Sequence, residues 1–151
     1  WPGVVKPGTV IDDSTTSLDW YPTLVRIAGA QLSPQHPVRG RSLLPLLRGT
    51  TPADWDQDVY AEYSMINYCR AFMRTYRTPQ WKLVRDFLNP ERDELYHLAV
   101  DPEERVNLIH ENRTEVRAMV RRLDQEIRRN MRTIDDSLLK KLPTESADDS
   151  P

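Results

Sequence analysis

The side chains that could bind a metal or act in catalysis are few and scattered in this sequence. Its histidines are His36, His97 and His110. No two of them stand at the spacing of a helical metal-binding pair, so the sequence contains no local zinc motif. Asp12 and Asp13 would point to opposite sides of an extended segment, which favours a solvated turn over a metal pair. We predict no catalytic and no metal-binding residue in this chain.

The single cysteine, Cys69, excludes an internal disulfide and any zinc site built from several thiolates. Its apolar, strand-like surroundings predict a buried, inert thiol. A reactive thiol would need a nearby cation, for which Arg70 is the only local candidate.

The composition is that of a soluble, globular protein, with 38% apolar and 29% charged residues. The net charge of −2 favours neither nucleic acid nor anionic membrane, and we predict neither as a partner. No apolar stretch approaches the roughly 20 residues that span a bilayer. The sequence opens on Trp1 without a signal peptide, so we expect the true N-terminus to lie upstream. The sequence therefore does not indicate the cellular compartment.

Two short helices are predicted in the first fifty residues. Asp19 precedes an apolar-periodic segment that ends at Gly29, with Pro22 in its first turn, so the Asp19 carboxylate should accept from first-turn amides. Ser42 precedes a leucine-rich turn whose leucines point to nearly all sides, which predicts their burial. Residues 4–11 are predicted to form a short strand.

The second half changes to a period of two residues, which is typical of strands. Four strands are predicted, over residues 59–63, 70–76, 81–87 and 94–98. A helix over 113–134, opened by a capping box from Asn112 to Glu115, should cover one face of this antiparallel sheet. The domain prediction is the end of a larger domain at 1–50, a linker at 51–58, a sheet-plus-helix subdomain at 59–134 and a flexible tail at 135–151.

The predicted long helix is rich in arginine. Its arginines alternate with Glu115, Asp124 and Glu126, and Asp124 stands four residues before Arg128, an order that stabilises helices. A solvated, partly salt-bridged face is the favoured interpretation. The alternative is a polyanion-binding face, in a binding module without catalytic activity.

Several motifs in this order resemble the C-terminal third of sulfatases, in the alkaline-phosphatase-like superfamily. The first half contributes Trp1-Pro2-Gly3, Lys6-Pro7-Gly8-Thr9-Val10, Asp19-Trp20-Tyr21-Pro22-Thr23-Leu24 and Gly40-Arg41-Ser42-Leu43-Leu44-Pro45-Leu46-Leu47. The second half contributes Arg74-Thr75, Trp81-Lys82-Leu83, Glu94-Leu95-Tyr96-His97-Leu98, Asp101-Pro102-Glu103-Glu104 and Asn107-Leu108. The resemblance implies an α+β fold in which the last strand and helices of a truncated α/β sulfatase domain precede the four-stranded sheet and its helix.

The resemblance also implies where the chemistry resides. Sulfatases use a formylglycine made from the cysteine or serine of a C-x-P-x-R or S-x-P-x-R motif, together with a calcium ion. Cys69 has neither the proline nor the arginine of that motif, so both groups are expected in a longer parent protein and not in this chain. We therefore expect the chain alone to be inactive and to supply the scaffold end of a sulfuric ester hydrolase.

In the family, the loop between the first two C-terminal strands can approach the substrate. Here that loop is predicted over residues 64–68, and the candidate substrate-binding residues are Tyr63, Ser64, Asn67, Tyr68 and Arg70. Aromatic rings and amides suit a sugar, which is held by stacking and orienting hydrogen bonds. The alternative is a packed strand connection that contacts no ligand.

The expected partners follow from the resemblance. They are the missing N-terminal sulfatase domain and a sulfated small molecule or glycan, and the parent would be periplasmic or secreted. The isolated chain is expected to expose apolar surface and to bury Trp20 and the leucines of residues 43–47 against a second copy. A tail of a related phosphodiesterase or phosphonate hydrolase would look alike.

Overall fold

The computed structural model describes residues 1–141. The chain divides into two compact units, Trp1–Val59 and the part that begins at Tyr60. The predicted α+β class is confirmed, because the second unit is a four-stranded antiparallel sheet with a C-terminal helix.

All four predicted strands form. They are β1 (Val59–Ile66), β2 (Arg70–Arg77), β3 (Trp81–Asp86) and β4 (Glu94–His97). Their order in the sheet is β1-β2-β3-β4, so each strand pairs with its neighbour in sequence. The turn between β2 and β3 is closed by Thr78, whose amide donates to the Trp81 carbonyl at 2.8 Å. Short connections of this kind force antiparallel pairing.

The long helix α3 (Thr114–Thr133) covers one face of this sheet. Tyr76 pairs with Leu83, and Leu83 pairs with Leu95, so the three form one row across the sheet. That row packs with the apolar stripe of α3, which consists of Val116, Leu123, Ile127 and Met131. Each large apolar side chain buried here contributes about 1.5–3 kcal/mol.

The start of α3 differs from the prediction. The residue before the helix is Arg113, in an extended conformation, and no side chain caps the first turn. The predicted capping box from Asn112 to Glu115 is therefore wrong, because the helix begins one residue later than that motif requires. The amphipathic stripe identified the helix correctly, and packing on the sheet is enough to hold it.

The predicted flexible tail needs a correction over its first residues. Asp136 returns to the sheet and pairs with Arg74, at 2.7 Å between Oδ2 and Nε. Leu138 and Leu139 pack against the core, and a 3-10 turn follows at Leu139–Lys141. The start of the tail is ordered because Asp136 is the counter-charge of the buried Arg74, a distant contact that no local sequence pattern indicates. Residues 142–151 lie outside the described residues.

In the first unit, residues 4–11 do not form the predicted strand. The amides of Val4 and Val5 both donate to the carbonyl of Trp1, which closes a turn instead. A strand requires a neighbouring strand for its backbone groups, and within the described residues the sheet contains only β1 to β4. The helices α1 (Trp20–Ile27) and α2 (Leu44–Leu47) do form.

Asp19 joins the two helices rather than capping one of them. Its carboxylate accepts from the amides of Thr16 and Arg41, both at 2.7 Å, and no first-turn amide donates to it. Thr23 continues the network, because its hydroxyl donates to the Asp19 carbonyl at 2.6 Å and accepts from the Leu43 amide at 2.8 Å. The predicted N-cap role of Asp19 is therefore wrong. The carboxylate instead accepts a hydrogen bond from the backbone amide of Arg41, 22 residues away in sequence.

The two helices of the first unit differ in how deeply their apolar side chains are buried. Leu43, Leu44 and Leu46 are buried, as predicted, so these leucines are not available for a second copy. Residues 51–58, predicted as a linker, lie against the start of the unit. The indole of Trp55 donates to the Ser14 carbonyl at 3.1 Å.

We predict that Gly40→Ala destabilises the first unit. A Cβ at this position would lie 2.0 Å from the carbonyl oxygen of Leu18, because the chain passes directly over the start of α1. Such overpacking costs about 1–3 kcal/mol. Thermal unfolding followed by near-ultraviolet circular dichroism measures it. Gly29→Ala is the control, since it adds only positive-φ strain with no atom within 4 Å. Equal melting temperatures for the two variants would contradict the prediction.

Candidate functional site

The candidate substrate-binding residues lie on the β1–β2 hairpin. Tyr63 and Ser64 belong to β1, which continues to Ile66, and Arg70 opens β2. The connecting turn consists of residues 67–69 only, so the predicted loop over 64–68 is shorter and shifted towards β2. Strand β1 thus extends three residues further than expected, with Tyr63 and Met65 on one face and Ser64 and Ile66 on the other.

The tip of the hairpin is open to solvent. All five candidate residues are exposed, and Tyr68 is 102% exposed. The hydroxyl of Tyr63 donates to Sδ of Met65 at 3.6 Å, which places these two side chains on one face of β1. Ser64 points to the other face by alternation. The five side chains therefore form an open surface and do not converge on one pocket.

One side of the hairpin is anchored by a buried ion pair. Arg74 donates through Nη1 to the hydroxyl of Ser64 at 3.2 Å and through Nε to Asp136 at 2.7 Å. The two charged side chains are only 5% and 6% exposed. Burial raises the pKa of Asp136, but the hydrogen bond and charge of Arg74 outweigh it, so the pKa is lowered overall.

The other side of the hairpin is anchored through Asp86 and Asn89. The side-chain amide of Asn89 donates to the Arg70 carbonyl at 2.9 Å and to Asp86 at 2.8 Å. Asp86 is 1% exposed and also accepts from the amides of Phe72 and Leu88. Burial alone would raise the pKa of Asp86, but these hydrogen bonds lower it overall. These hydrogen bonds thus fix the ends of both strands, whereas the side chains of the turn at residues 67–69 are exposed to solvent.

Cys69 lies in this turn and is exposed, so the prediction of a buried thiol is wrong. Its sulfur is 3.7 Å from Sδ of Met65, across the hairpin. Its apolar neighbours differ in burial, since Ile66 is 70% exposed whereas Ala71 is buried, so the apolar composition alone did not predict the exposure of the thiol.

A second concave surface lies within the first unit and was missed by sequence reasoning. It encloses about 350 Å³, and its lining includes Arg26, Arg41, Asp54 and Trp55. The guanidinium of Arg41 lies 4.0 Å from the centre of the Trp55 ring and donates to the Asp56 carbonyl at 2.9 Å. Its Nη1 atom is buried and has no hydrogen-bond partner among residues 1–141. The sequence could not predict this surface, because it forms only where Trp55 packs against the distant Gly40-Arg41 motif in the folded chain.

The donor set of the described residues does not fit a metal ion. Across residues 1–141 no three His, Cys, Asp or Glu side chains come together in a group that could hold one. In the same part of the chain no helix is both long and apolar enough to cross a bilayer.

One family model and a curated relative match most of this chain. The model of the family described as "N-sulphoglucosamine sulphohydrolase, C-terminal" matches residues 1–133, which include the first unit and most of the second. The N-acetylglucosamine-6-O-sulfatase of Bacteroides thetaiotaomicron is 30% identical over 112 residues, covering 72% of this chain and 20% of that protein.

Two solved structures share the fold over most of the chain. A protein in complex with its substrate D-glucosamine-2-N,6-O-disulfate matches with a TM-score of 0.76 and 24% identity, over 91% of this chain and 28% of that one. The phosphonate monoester hydrolase of Silicibacter pomeroyi matches with a TM-score of 0.71 and 25% identity, over 87% and 28%. The chain thus spans less than a third of the length of each of these relatives.

We predict that Asp136→Asn destabilises the sheet unit and makes its free energy of unfolding less dependent on pH in the acid range. With a folded pKa below the ordinary 3.8, Asp136 stabilises the fold above that pH, and the contribution is lost as the pH falls through the folded pKa. The amide leaves Arg74 buried without a counter-charge, which costs about 3–5 kcal/mol near neutral pH.

Urea unfolding at pH 7 and at pH 3, followed by far-ultraviolet circular dichroism, measures this effect. Asp135→Asn is the matched control, because that neighbouring carboxylate is 83% exposed and pairs with the exposed Lys140. A loss of stability at pH 7 that is the same for both variants would rule out the anchoring role of Asp136.

Proposed function

Because this chain belongs to the sulfatase family, as a C-terminal domain of the N-sulphoglucosamine sulphohydrolase type, we propose that it completes a longer enzyme that hydrolyses sulfate esters of a carbohydrate. The match over both units of the chain is the observation that carries this proposal. The sulfated amino sugar named for the Bacteroides relative supports a carbohydrate as the substrate class.

The reacting groups belong to the rest of that enzyme. The sequence around Cys69 does not fit the formylglycine motif, and the described residues offer no calcium site. In the proposed enzyme the formylglycine and the calcium ion lie in the N-terminal part, where they would supply the nucleophile and polarise the sulfate. This chain contributes scaffold and substrate contacts.

One contribution is the apolar face of α1. Its large side chains are mostly in solvent, with Trp20 56%, Leu24 57% and Ile27 42% exposed. These residues follow one another at helical spacing, so they form a continuous stripe. We propose that the N-terminal part of the enzyme covers it and supplies an acceptor for the buried Nη1 of Arg41. In the isolated chain, a second copy would cover α1 instead.

The second contribution is the β1–β2 hairpin as a wall of the substrate site. A sugar ring needs an apolar face for stacking and polar groups for orientation. Tyr68 and Tyr63 offer the first, and Asn67, Ser64 and Arg70 offer the second, all in exposed positions. Because the strand ends are anchored by Arg74 and Asn89, the flanking strands lose little conformational freedom when these groups bind a sugar.

A related enzyme class is the second candidate. The likeness to the phosphonate monoester hydrolase, at 25% identity over 87% of the chain, favours it. Assays of the longer enzyme with matched aryl sulfate and aryl phosphonate esters separate the two, because both esters release the same phenolate and differ only in the group that is transferred, a sulfuryl or a phosphonyl group. A strong preference for the phosphonate would replace sulfate ester hydrolysis as the function.

We predict that the 151-residue chain alone does not hydrolyse aryl sulfates, because it lacks the reacting groups. Release of the phenol, followed by absorbance, should equal that of a sample without protein. The longer enzyme, which includes the N-terminal part, should give turnover in the same assay. Turnover by the short chain would contradict the proposed division of roles.

We predict that Asn67→Ala and Tyr68→Ala in the longer enzyme raise KM for a sulfated oligosaccharide about tenfold. This corresponds to the loss of one hydrogen bond or one stacking contact, about 1.4 kcal/mol. A small aryl sulfate, which lacks the further sugar units that the hairpin is proposed to contact, should keep its KM. Gln80→Ala, in the exposed turn between β2 and β3, is the control. Equal effects on both substrates would remove the hairpin from the substrate site.

A further inference from the structure

The outer side of α3 carries arginines that neither the core nor the hairpin uses. Its exposed arginines are Arg117, Arg121, Arg122, Arg129 and Arg132. At 3.6 residues per turn they occupy the side opposite the buried stripe of the helix. We call this group the α3 arginine face. From Arg117 to Arg132 it is about 22 Å long at 1.5 Å per residue.

The carboxylates of the helix do not neutralise most of this face. Asp124 turns towards the sheet, where it pairs with Arg85 at 2.6 Å and with Arg128 at 2.7 Å. Glu126 pairs with Arg129 at 2.5 Å. The predicted pair of Asp124 with Arg128 therefore forms, and the face is partly salt-bridged as predicted, while Asp124 also reaches Arg85 on the sheet.

Four arginines of the face therefore keep an uncompensated charge. Among residues 1–141, no side-chain hydrogen bond or ion pair joins Arg117, Arg121, Arg122 or Arg132 to another residue. The two carboxylates that follow the helix are also occupied, Asp135 by Lys140 and Asp136 by Arg74. Because the whole chain has a net charge of −2, this positive charge is a local feature of one surface.

We propose that the α3 arginine face binds a linear sulfated polysaccharide. The inference rests on the proposed function, which makes a sulfated carbohydrate the substrate class, and it adds a polymer-binding surface to it. Guanidinium groups form paired hydrogen bonds with the oxygens of anionic groups. An extended face of four such groups matches a chain that carries sulfates at regular intervals.

Two other polyanions fit this face less well. Single-stranded nucleic acid is bound by aromatic stacking as well as charge, and α3 contains no aromatic residue. An anionic membrane is bound by helices whose apolar side enters the lipid, but the apolar stripe of α3 is already buried against the sheet. A sulfated polysaccharide needs only the charged groups that are exposed.

The test measures binding of a fluorescein-labelled heparin oligosaccharide to the 151-residue chain by fluorescence anisotropy, over a range of NaCl concentrations. Arg117→Gln with Arg121→Gln should weaken binding at least about tenfold and reduce the slope of log K against log salt by about two. The matched control is Arg77→Gln with Arg92→Gln, an equal loss of charge at exposed positions elsewhere in the same unit. This control should bind like the original chain. Circular dichroism checks that both double variants keep their helix.

Equal weakening by the two double variants would overturn the proposal, because it would show a response to net charge alone. Competition by duplex DNA as strong as that by heparin, at equal charge, would overturn the assignment to a sulfated glycan. Sulfate release from a sulfated monosaccharide by the longer enzyme tests the proposed function separately. If that release occurs but heparin binding does not depend on α3, only the polymer-binding surface fails.

Discussion

The packing of one amphipathic helix on one face of a short sheet governs the second unit of this protein. A four-stranded meander has a single apolar face that must be covered to be stable. The stripe of α3 supplies that cover, and Leu83, Leu95, Ile127 and Met131 are completely buried between the two layers. The orientation that this packing imposes also decides which α3 side chains reach solvent. The buried ion pair beneath the hairpin follows from it, because the chain beyond α3 returns to the sheet at Asp136.

A different constraint organises the first unit. The motif that contains Asp19 and Thr23 and the motif that contains Gly40 and Arg41 look like separate helix signals in the sequence. In the structure they form one contact, in which buried polar groups of α1 satisfy the backbone of the segment leading into α2. The close approach at Gly40 makes that contact possible. These two motifs are thus explained by packing.

The sequence predicted what depends on short-range periodicity and missed what depends on a distant partner. All four strands and α3 follow from the alternation and the amphipathic stripe, because those patterns report local geometry directly. Residues 4–11 have a strand-forming composition, but among the described residues they have no neighbouring strand to pair with, so the composition alone did not predict their conformation. Asp19 and Asp124 were interpreted from their nearest neighbours in sequence, and Asp136 fell within the predicted flexible tail. Each one forms a contact more than twenty residues away, to Arg41, Arg85 and Arg74.

The candidate site shows the same limit. The hairpin position was predictable, whereas the exposure of Cys69 and the position of Ser64 within a strand were not, because both depend on where the helix cover ends. The anchoring of the hairpin at its strand ends has an evolutionary consequence. Residues 67–69 make few contacts with the rest of the fold, so the turn can change its length and side chains with little effect on folding. Under the proposed role of the hairpin, substrate preference could change at this turn without a compensating change in the core.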